Sequence, residues 1–315
     1  MRIFDPHIHM TSRTTDDYER MHAAGVRAVV EPSFWLGQPR TSVETFCDYF
    51  DALLGWEPFR AQQFGIQHFA TIGLNPKEAN DERCRAVLDE LPRYLVKDRV
   101  VAVGELGYDS MTAEEDEVFA HQLGLAREHG LPALVHTPHR DKLAGTRRTL
   151  DVVRESGLPA ERVLVDHLNE VTVGVVAGSG CWMGFSIYPD TKMDPQRMVA
   201  ILQEHGTERM VVNSAADWGR SDPLLTVRTA EAMLAADFSG DDVDKVLWRN
   251  PVEFYGQSGR LDLEDVDLYA VASPTDSPTA SPEGEFVGAS AGAPMGAPTG
   301  ATFEGNSVLR GSKES

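Results

Sequence analysis

The sequence predicts an α/β fold of the (β/α)₈ or TIM-barrel class, formed by a single domain over residues 1–259. Three observations predict it: eight short runs of β-branched and apolar residues, a longer amphipathic segment after each run, and a length that suits one barrel. Such alternation is typical of parallel βα units. A count of eight favours a closed barrel over an open doubly wound sheet, which usually has about five or six strands.

The predicted strands are short, and turn-forming residues separate them from the helical segments. In chain order the strands span residues 2–5, 27–31, 66–72, 100–105, 133–136, 163–167, 181–187 and 210–214. The helical segments lie near residues 15–24, 42–62, 81–96, 113–129, 143–156, 169–178, 194–205 and 222–236. Apolar residues such as Leu143, Leu150 and Val153 recur at helical spacing. Each strand is therefore followed by a helix, as a barrel requires.

Charge and cysteine content argue against several classes of protein. The formal net charge is -20, which repels phosphate backbones, so nucleic acid is not an expected partner. The three cysteines are widely spaced and form no CxxC pair, which suits a reducing compartment. The sequence has no apolar run of about 18 residues that would span a membrane. It also opens without a secretory signal, so we expect a cytoplasmic protein.

The composition changes near residue 260. Residues 260–315 are acidic and rich in Pro, Gly, Ser and Ala, and such residues bury too little apolar area to offset the entropy of ordering. We predict a disordered tail there. Its closing segment, FEGNSVLRGSKES, is less repetitive and could bind a protein partner, although a solvated end is the simpler interpretation.

Metal-ligand residue types fall at the carboxyl ends of the predicted strands, where α/β barrels place their catalytic groups. His7 and His9 follow strand 1 in the stretch Asp5-Pro6-His7-Ile8-His9. Residues two apart in an extended chain point to the same side, so both imidazoles can face one interior point. The other metal-ligand residues at strand ends are Glu105, His136, His167 and Asp217.

These side chains predict a site for one or two divalent metal ions. A lone histidine is more often a core or surface residue, but four histidines and two carboxylates at strand ends are hard to obtain by chance. Mixed nitrogen and oxygen ligands suit Zn²⁺ first, then Mn²⁺, Fe²⁺ or Ni²⁺, whereas Mg²⁺ prefers oxygen. A metal centre of this kind activates water, so the sequence predicts a metal-dependent hydrolase.

The same motifs resemble the TatD-like metal-dependent hydrolases, a group within the amidohydrolase-type barrels. The HxH after strand 1, the stretch Gly104-Glu105-Leu106-Gly107-Tyr108-Asp109 and the single His136 and His167 carry this resemblance. An asparagine element near the family's end is similar to residues 249–255. The resemblance covers about residues 1–257. It implies two adjacent metals bridged by Glu105, with His7, His9 and Asp217 on one ion and His136 and His167 on the other.

Two departures place the chain on a divergent side branch of that family. Asp217 lies about two residues later than the family's last aspartate, and Asp222 is a second candidate for that ligand. The loop after strand 5 also differs, so the substrates of better-known relatives carry over weakly.

Further residues receive roles around the predicted centre. Glu105 and Asp217 are the predicted catalytic residues, with Asp217 orienting a water molecule or accepting its proton. The predicted substrate-binding residues are His139, Arg140, Lys142 and Trp218, with an ordinary solvated loop as the alternative for the first three. Tyr108 and Asp109 are candidates to support Glu105. Glu31 is a weaker candidate for an oxygen ligand, and His68 is expected to be an interior hydrogen-bonded residue.

The predicted function is hydrolysis of a small phosphoester, amide or lactone at this centre. One alternative is a deoxyribonuclease like some TatD relatives, which would need a basic groove. Another is a non-hydrolytic metal-bearing partner in a biosynthetic or transport assembly, for which the acidic tail is the main support.

Overall fold

A computed structural model describes residues 1–35 and 37–263, and eight parallel strands form one sheet within them, in the order of the sequence. The strands are β1 (Ile3–Asp5), β2 (Val26–Pro32), β3 (Gln67–Ile72), β4 (Val100–Gly107), β5 (Ala133–His136), β6 (Val163–Val165), β7 (Trp182–Ser186) and β8 (Met210–Asn213). The amides of Ala215 and His9 donate to the carbonyls of His7 and Ala216, at 2.8 and 2.9 Å. These bonds link the carboxyl ends of β8 and β1, and the predicted barrel is confirmed.

Helices fill the connections between the strands. In chain order they are α1 (Thr15–Ala23), α2 (Val43–Asp51), α3 (Glu57–Gln62), α4 (Glu82–Arg85), α5 (Leu91–Leu95), α6 (Ala113–Glu128), α7 (Lys142–Ser156), α8 (Val173–Val176), α9 (Pro195–His205), α10 (Leu225–Ala235), α11 (Gly240–Asp244) and α12 (Asn250–Gly256). Short 3₁₀ segments lie at Met10–Ser12, Ala86–Asp89 and Ala160–Arg162, and π-helical turns at Ala52–Trp56 and Lys245–Arg249.

Several predicted helices differ from the observed ones. The segment predicted at 81–96 is divided into α4, a 3₁₀ turn and α5, with Pro92 in the first turn of α5. The segment predicted near 169–178 is helical only over Val173–Val176. The chain also adds α11 and α12 after the eighth predicted helix. Strand positions were easier to predict because nearly continuous runs of apolar residues mark strands that are buried on both faces.

Alternating strand residues divide the core into two layers. One layer fills the barrel and the other lies between the sheet and the helices. The barrel interior includes Phe4, Ala28, Val30, Phe69, Val101, Leu134, Leu164, Trp182 and Val211. From α12, Phe254 and Tyr255 join this interior, and the Tyr255 hydroxyl donates to the Pro6 carbonyl at 2.8 Å. The Asn250 amide donates to the carbonyls of Thr207 and Met210, which attaches α12 to the start of β8.

The packed chain extends slightly beyond the predicted boundary at residue 260. The Arg260 guanidinium donates to the carbonyls of Leu95 and Lys97, and Leu261 and Leu263 pack against the barrel-interior cluster. The rest of the predicted tail, residues 264–315, lies outside the described residues. Among the helices that are described, none is long and apolar enough to cross a membrane.

Candidate metal centre

The histidines that follow β1 point their rings at one place, as predicted. His7 Nε2 and His9 Nε2 are 3.2 Å apart, and His7 Nε2 lies 3.8 Å from Glu105 Oε1. All three side chains are buried. The Phe34 ring stacks on His9 with centroids 3.7 Å apart, which holds the His9 ring in this orientation.

Glu105 forms the middle of the candidate metal cluster, which consists of His7, His9, Glu105, His136 and His167. Its Oε1 lies 2.8 Å from His136 Nδ1 and 3.0 Å from His167 Nε2, while Oε2 accepts a hydrogen bond from the Asn75 amide at 2.8 Å. β4, β5 and β6 are neighbours in the sheet, so their carboxyl ends bring these three residues to one rim of the barrel. One carboxylate oxygen therefore faces both histidines, and the other is held by an amide.

Asp166 orients the His7 ring from behind. His7 Nδ1 donates to Asp166 Oδ2 at 2.6 Å, and the Asn213 amide lies 3.1 Å from each Asp166 oxygen. A carboxylate on Nδ1 leaves the Nε2 lone pair of the imidazole free to bind a cation. Asp166 is fully buried, and its orienting role was not predicted from the sequence.

His167 reaches the cluster through unusual backbone geometry. Its φ of 61° lies in the left-handed region, which is uncommon for a residue with a side chain and often marks functional sites. Its amide donates to Asp166 Oδ1 at 2.7 Å, and its Nδ1 lies 2.6 Å from the Ser186 hydroxyl. Ser186 in turn donates to Asn213 Oδ1 at 2.7 Å, so the ring is held on the side away from Glu105.

The pKa values in the cluster follow from burial and from these contacts. Burial alone would raise the pKa of Glu105, but the histidines around it hold that pKa well below its usual range. Burial lowers the pKa of His9 and of His167 well below the ordinary value. Burial also opposes protonation of His7, but the Asp166 hydrogen bond raises the His7 pKa above its usual value. The low pKa values of Glu105, His9 and His167 favour the ionised carboxylate and the neutral imidazoles that a divalent metal needs as ligands.

The ligand atoms also have the separations that metals need. His7, His9 and Glu105 form one group whose ligand atoms lie within 4.8 Å of one another, and Glu105, His136 and His167 form a second. The two groups share Glu105, as the predicted bridging role requires. Asp166 joins His7 and His167 in a third group, but its carboxylate already binds the back of the His7 ring.

The cluster lies in a cavity of about 230 Å³. The aromatic part of its wall is formed by Phe34, Trp35, Tyr188 and Trp218, and the Trp218 and Phe34 ring centroids are 4.9 Å apart. Lys77 and Lys192 also line the cavity. The predicted role of Trp218 in lining the site agrees with this position.

The structure separates the residues predicted to bind substrate. His139 lines the cavity, and burial lowers its pKa to about 4. Arg140 and Lys142 are not among the lining residues. The Arg140 side chain is exposed to solvent, and Lys142 donates instead to the Thr137 hydroxyl at 3.0 Å.

Asp217 lines the cavity but joins none of the metal-compatible groups found among the described residues. Its Oδ1 accepts hydrogen bonds from the Tyr188 hydroxyl at 3.1 Å and from the Gly219 amide at 2.7 Å. Asp222 is not a lining residue, and its carboxylate pairs with Arg228 at 2.6 Å. Of the two candidates for the last ligand, only Asp217 is close to the cluster, and its role as a ligand stays a prediction.

Other expectations near the centre were wrong or incomplete. Neither Tyr108 nor Asp109 hydrogen-bonds to Glu105: Tyr108 donates to Asp116, and Asp109 pairs with Lys77 at 2.6 Å. The cavity wall also contains residues that were not predicted from the sequence, among them Asn75, Lys77, Tyr188 and Lys192. Their one signal was a position in loops that follow strands, on the side of the barrel where catalytic groups cluster.

The chain is similar to a known protein family and to curated proteins. The family model described as TatD related DNase matches residues 4–256. A curated protein of Methanocaldococcus jannaschii, named an uncharacterized metal-dependent hydrolase, is 23% identical over 256 residues, which cover 80% of this chain and 99% of that protein.

Solved structures also resemble this chain. The TatD-like protein from Archaeoglobus fulgidus has a TM-score of 0.67 and 26% identity, and covers 80% of this chain and 99% of its own. A phosphotriesterase homology protein from Escherichia coli has a TM-score of 0.59 at 15% identity, over 81% and 98% of the two chains, and shares the fold. The four histidines and the glutamate that carried the resemblance form one cluster, the family model spans the barrel, and the chain belongs to the TatD family.

Proposed function

We propose that this chain is a metal-dependent hydrolase that acts on a small substrate at the Glu105 cluster. The observation that carries this proposal is the pair of ligand groups that share Glu105 at the wall of a cavity of about 230 Å³. A cavity of this size holds a small molecule or the reacting end of a larger one.

The residues present fit one or two divalent ions. His7, His9 and Glu105 would hold one ion, and Glu105, His136 and His167 the other, with Asp217 as a further candidate ligand. The Asp166 contact leaves a lone pair on His7 Nε2, and its separation of 3.2 Å from His9 Nε2 suits two ligands that would hold the same cation. Mixed nitrogen and oxygen ligands favour Zn²⁺, with Mn²⁺, Fe²⁺, Ni²⁺ and Mg²⁺ as alternatives. A bound divalent ion lowers the pKa of water and polarises the substrate oxygen.

The chain's own residues would supply orientation and proton transfer. Asp166 and Ser186 hold the rings of His7 and His167 from behind. The two rings would therefore need little reorientation to bind a metal ion. Both hydrogen bonds to the Asp217 carboxylate reach Oδ1, and among the described residues none reaches Oδ2. This oxygen without a hydrogen bond supports Asp217 as the residue that would orient water or accept its proton.

The aromatic wall covers part of the cluster and limits its contact with solvent. Phe34 covers the face of His9, and Trp218 packs against Phe34. A site with less water strengthens the electrostatic interactions within it.

The test is metal content per chain, measured by elemental analysis on protein purified without a His-tag or chelator. We expect one or two equivalents in the wild type, and loss of at least one in His136→Ala together with loss of hydrolysis. His121→Ala is the matched control, because His121 is exposed on α6 away from the cavity. A His136→Ala protein that keeps the wild-type metal content, or a wild type that binds no metal on reconstitution, would contradict the proposal.

The substrate is found by screening the metal-loaded protein with a phosphate ester, an amide and a lactone. The Escherichia coli protein of the same fold is described with phosphate in its active site, but at 15% identity this guides the screen only. Single-stranded DNA belongs in the screen because the family model carries the name DNase. The net charge of -20 argues against it.

A further inference from the structure

Lys192 is a cavity-lining cation that the assignments above do not use. It lies in the loop between β7 and α9, and several contacts hold this loop in place. The Lys192 amide donates to the Tyr188 carbonyl at 2.8 Å, and the Tyr188 amide donates to the Met193 carbonyl at 2.8 Å. The Lys192 carbonyl accepts from the Arg197 guanidinium at 2.6 Å, and Arg197 pairs with Glu170 at 2.7 Å. The backbone from which the ammonium extends is thus fixed.

The ammonium lies beside the metal cluster. Lys192 Nζ is 3.2 Å from His167 Nδ1 and 5.8 Å from the centroid of the Tyr188 ring. If the Nε2 lone pair of His167 binds a metal ion, the ring hydrogen lies on Nδ1 and is donated to Ser186, so Nδ1 cannot accept a bond from Lys192. Ser186 already donates to Asn213. The N–H groups of Lys192 therefore remain available to whatever occupies the cavity.

A comparison with Lys77 supports this reading. Lys77 also lines the cavity, but its Nζ forms an ion pair with Asp109 at 2.6 Å. No carboxylate in residues 1–35 and 37–263 lies within ion-pair distance of Lys192 Nζ. A half-buried ammonium without a carboxylate partner loses hydration that its contacts with His167 and the Tyr188 ring restore only in part, and an anionic ligand would supply the missing negative charge.

We propose that Lys192 binds an anionic oxygen of the substrate, and that the substrate class of this site is a small phosphate ester. The assignment rests on the proposed function. Lys192 Nζ contacts the Nδ1 side of His167 and lines the same cavity as the cluster, so an anion that it binds shares this cavity with the reacting atom. A phosphate ester carries its charged oxygens on that atom, whereas a neutral lactone or amide has no charge there before reaction. A carboxylate substituent would lie at least one bond farther away.

The reaction of such a substrate is a simple displacement. A water oxygen bonds to phosphorus as the bond from phosphorus to the leaving oxygen breaks. One proton of the water is transferred to the leaving oxygen, which departs as an alcohol. The other proton stays on the phosphate or passes to a proton acceptor. Throughout, Lys192 would hold a non-bridging oxygen and keep the phosphoryl group oriented.

The experiment measures binding of inorganic phosphate to the metal-loaded full chain by calorimetry. We expect Lys192→Met to weaken phosphate binding at least about tenfold, as the loss of a charge-assisted hydrogen bond predicts, and Lys192→Arg to recover part of it. Lys245→Met is the matched control, because Lys245 pairs with Glu208 on the surface. The kcat/KM for p-nitrophenyl phosphate should fall by a similar factor, and that for a neutral lactone should change less than about twofold.

The outcomes separate this assignment from the proposed function. An unchanged phosphate Kd in a metal-loaded Lys192→Met protein would overturn the role of Lys192 and leave the metal assignment intact. An equal loss on phosphate ester and lactone would also overturn it, because it would indicate a general effect. Lys192→Gln repeats the test if the methionine variant fails to fold. Wild-type protein that binds no metal would contradict both proposals.

Discussion

The barrel contains two buried groups of histidine and carboxylate residues that differ in what they face. In the metal cluster, Glu105 lies 2.8 Å from His136 and 3.0 Å from His167 beside an open cavity. In the second group, Glu31 Oε2 lies 2.8 Å from His68 Nε2, and both residues are fully buried away from the cavity. Residue types and pair distances are nearly the same in the two groups.

The second group lies between the sheet and the helices. In β2 and β3, Val30 and Phe69 face the barrel interior, so Glu31 and His68 point to the other side of the sheet. Glu57 from α3 lies near them, and burial together with the charge of Glu31 raises the Glu57 pKa.

The other oxygen of Glu31 shows what this second group does. Glu31 Oε1 accepts hydrogen bonds from both the amide and the hydroxyl of Thr11, each at 2.8 Å, two residues after His9. The group thus supports the loop that carries His9, a predicted metal ligand. The comparison teaches that the direction in which a strand residue points, and not its chemical type, decides whether a histidine–carboxylate pair becomes a site.

The largest expected effect comes from removing one charge in each group. Glu105→Gln should lose metal and reduce hydrolysis by about 10²–10³-fold or more, because it removes the shared ligand. Glu31→Gln should keep the metal and lower the free energy of unfolding by about 1–3 kcal/mol. Elemental analysis and denaturant unfolding measure both quantities. The comparison fails if Glu31→Gln loses metal as completely as Glu105→Gln.

An intermediate effect is expected from the residue behind His7. Asp166→Asn removes the carboxylate that sets the His7 tautomer and should weaken metal affinity by about 10–100-fold while the barrel stays folded. Competition with a chelator of known affinity gives the value. Asp222→Asn is a control, since Asp222 pairs with Arg228 outside the cavity. Unchanged affinity in Asp166→Asn would show that Asp166 does not orient His7.

A separate effect, on stability and not on metal binding, is a pH dependence in the metal-free protein. Burial raises the pKa of Asp5 from 3.8 to about 7 despite hydrogen bonds from Ser214 and His7. The folded state therefore holds a proton that the unfolded state releases, so the stability Asp5 contributes is present below pH 3.8 and is lost as the pH rises toward 7. Relative to Asp5→Asn, the free energy of unfolding of the wild type should fall by up to about 1.4 kcal/mol per pH unit as the pH rises across this window. The free energy of unfolding of both proteins is measured by urea unfolding in EDTA at several pH values. Parallel pH profiles for the wild type and Asp5→Asn would refute this prediction.

Much of the site was predictable because barrel topology places all strand ends on one rim. His7, His9, Glu105, His136 and His167 each follow or end a strand, so locating the strands located the cluster. The TatD family was also predicted from these motifs and is confirmed by the family model.

Residues in loops were predicted less well. Arg140 and Lys142 have suitable charges and lie directly after a ligand strand, yet neither lines the cavity. Lys192 was not predicted, and it reaches the cluster because its loop is held by contacts with Tyr188 and Arg197. Loop conformation depends on contacts between distant parts of the chain, and local patterns of charge or hydrophobicity do not encode them.

The sequence by itself determined the barrel class, the family and the residue types of the metal cluster, because these depend on strand periodicity and on which residues end the strands. Only the tertiary structure decided which cations face the cavity, which carboxylate orients His7, and that the Glu31–His68 pair lies outside the site. The physical reason is that burial, hydrogen-bond partners and side-chain direction arise from packing between segments far apart in the chain.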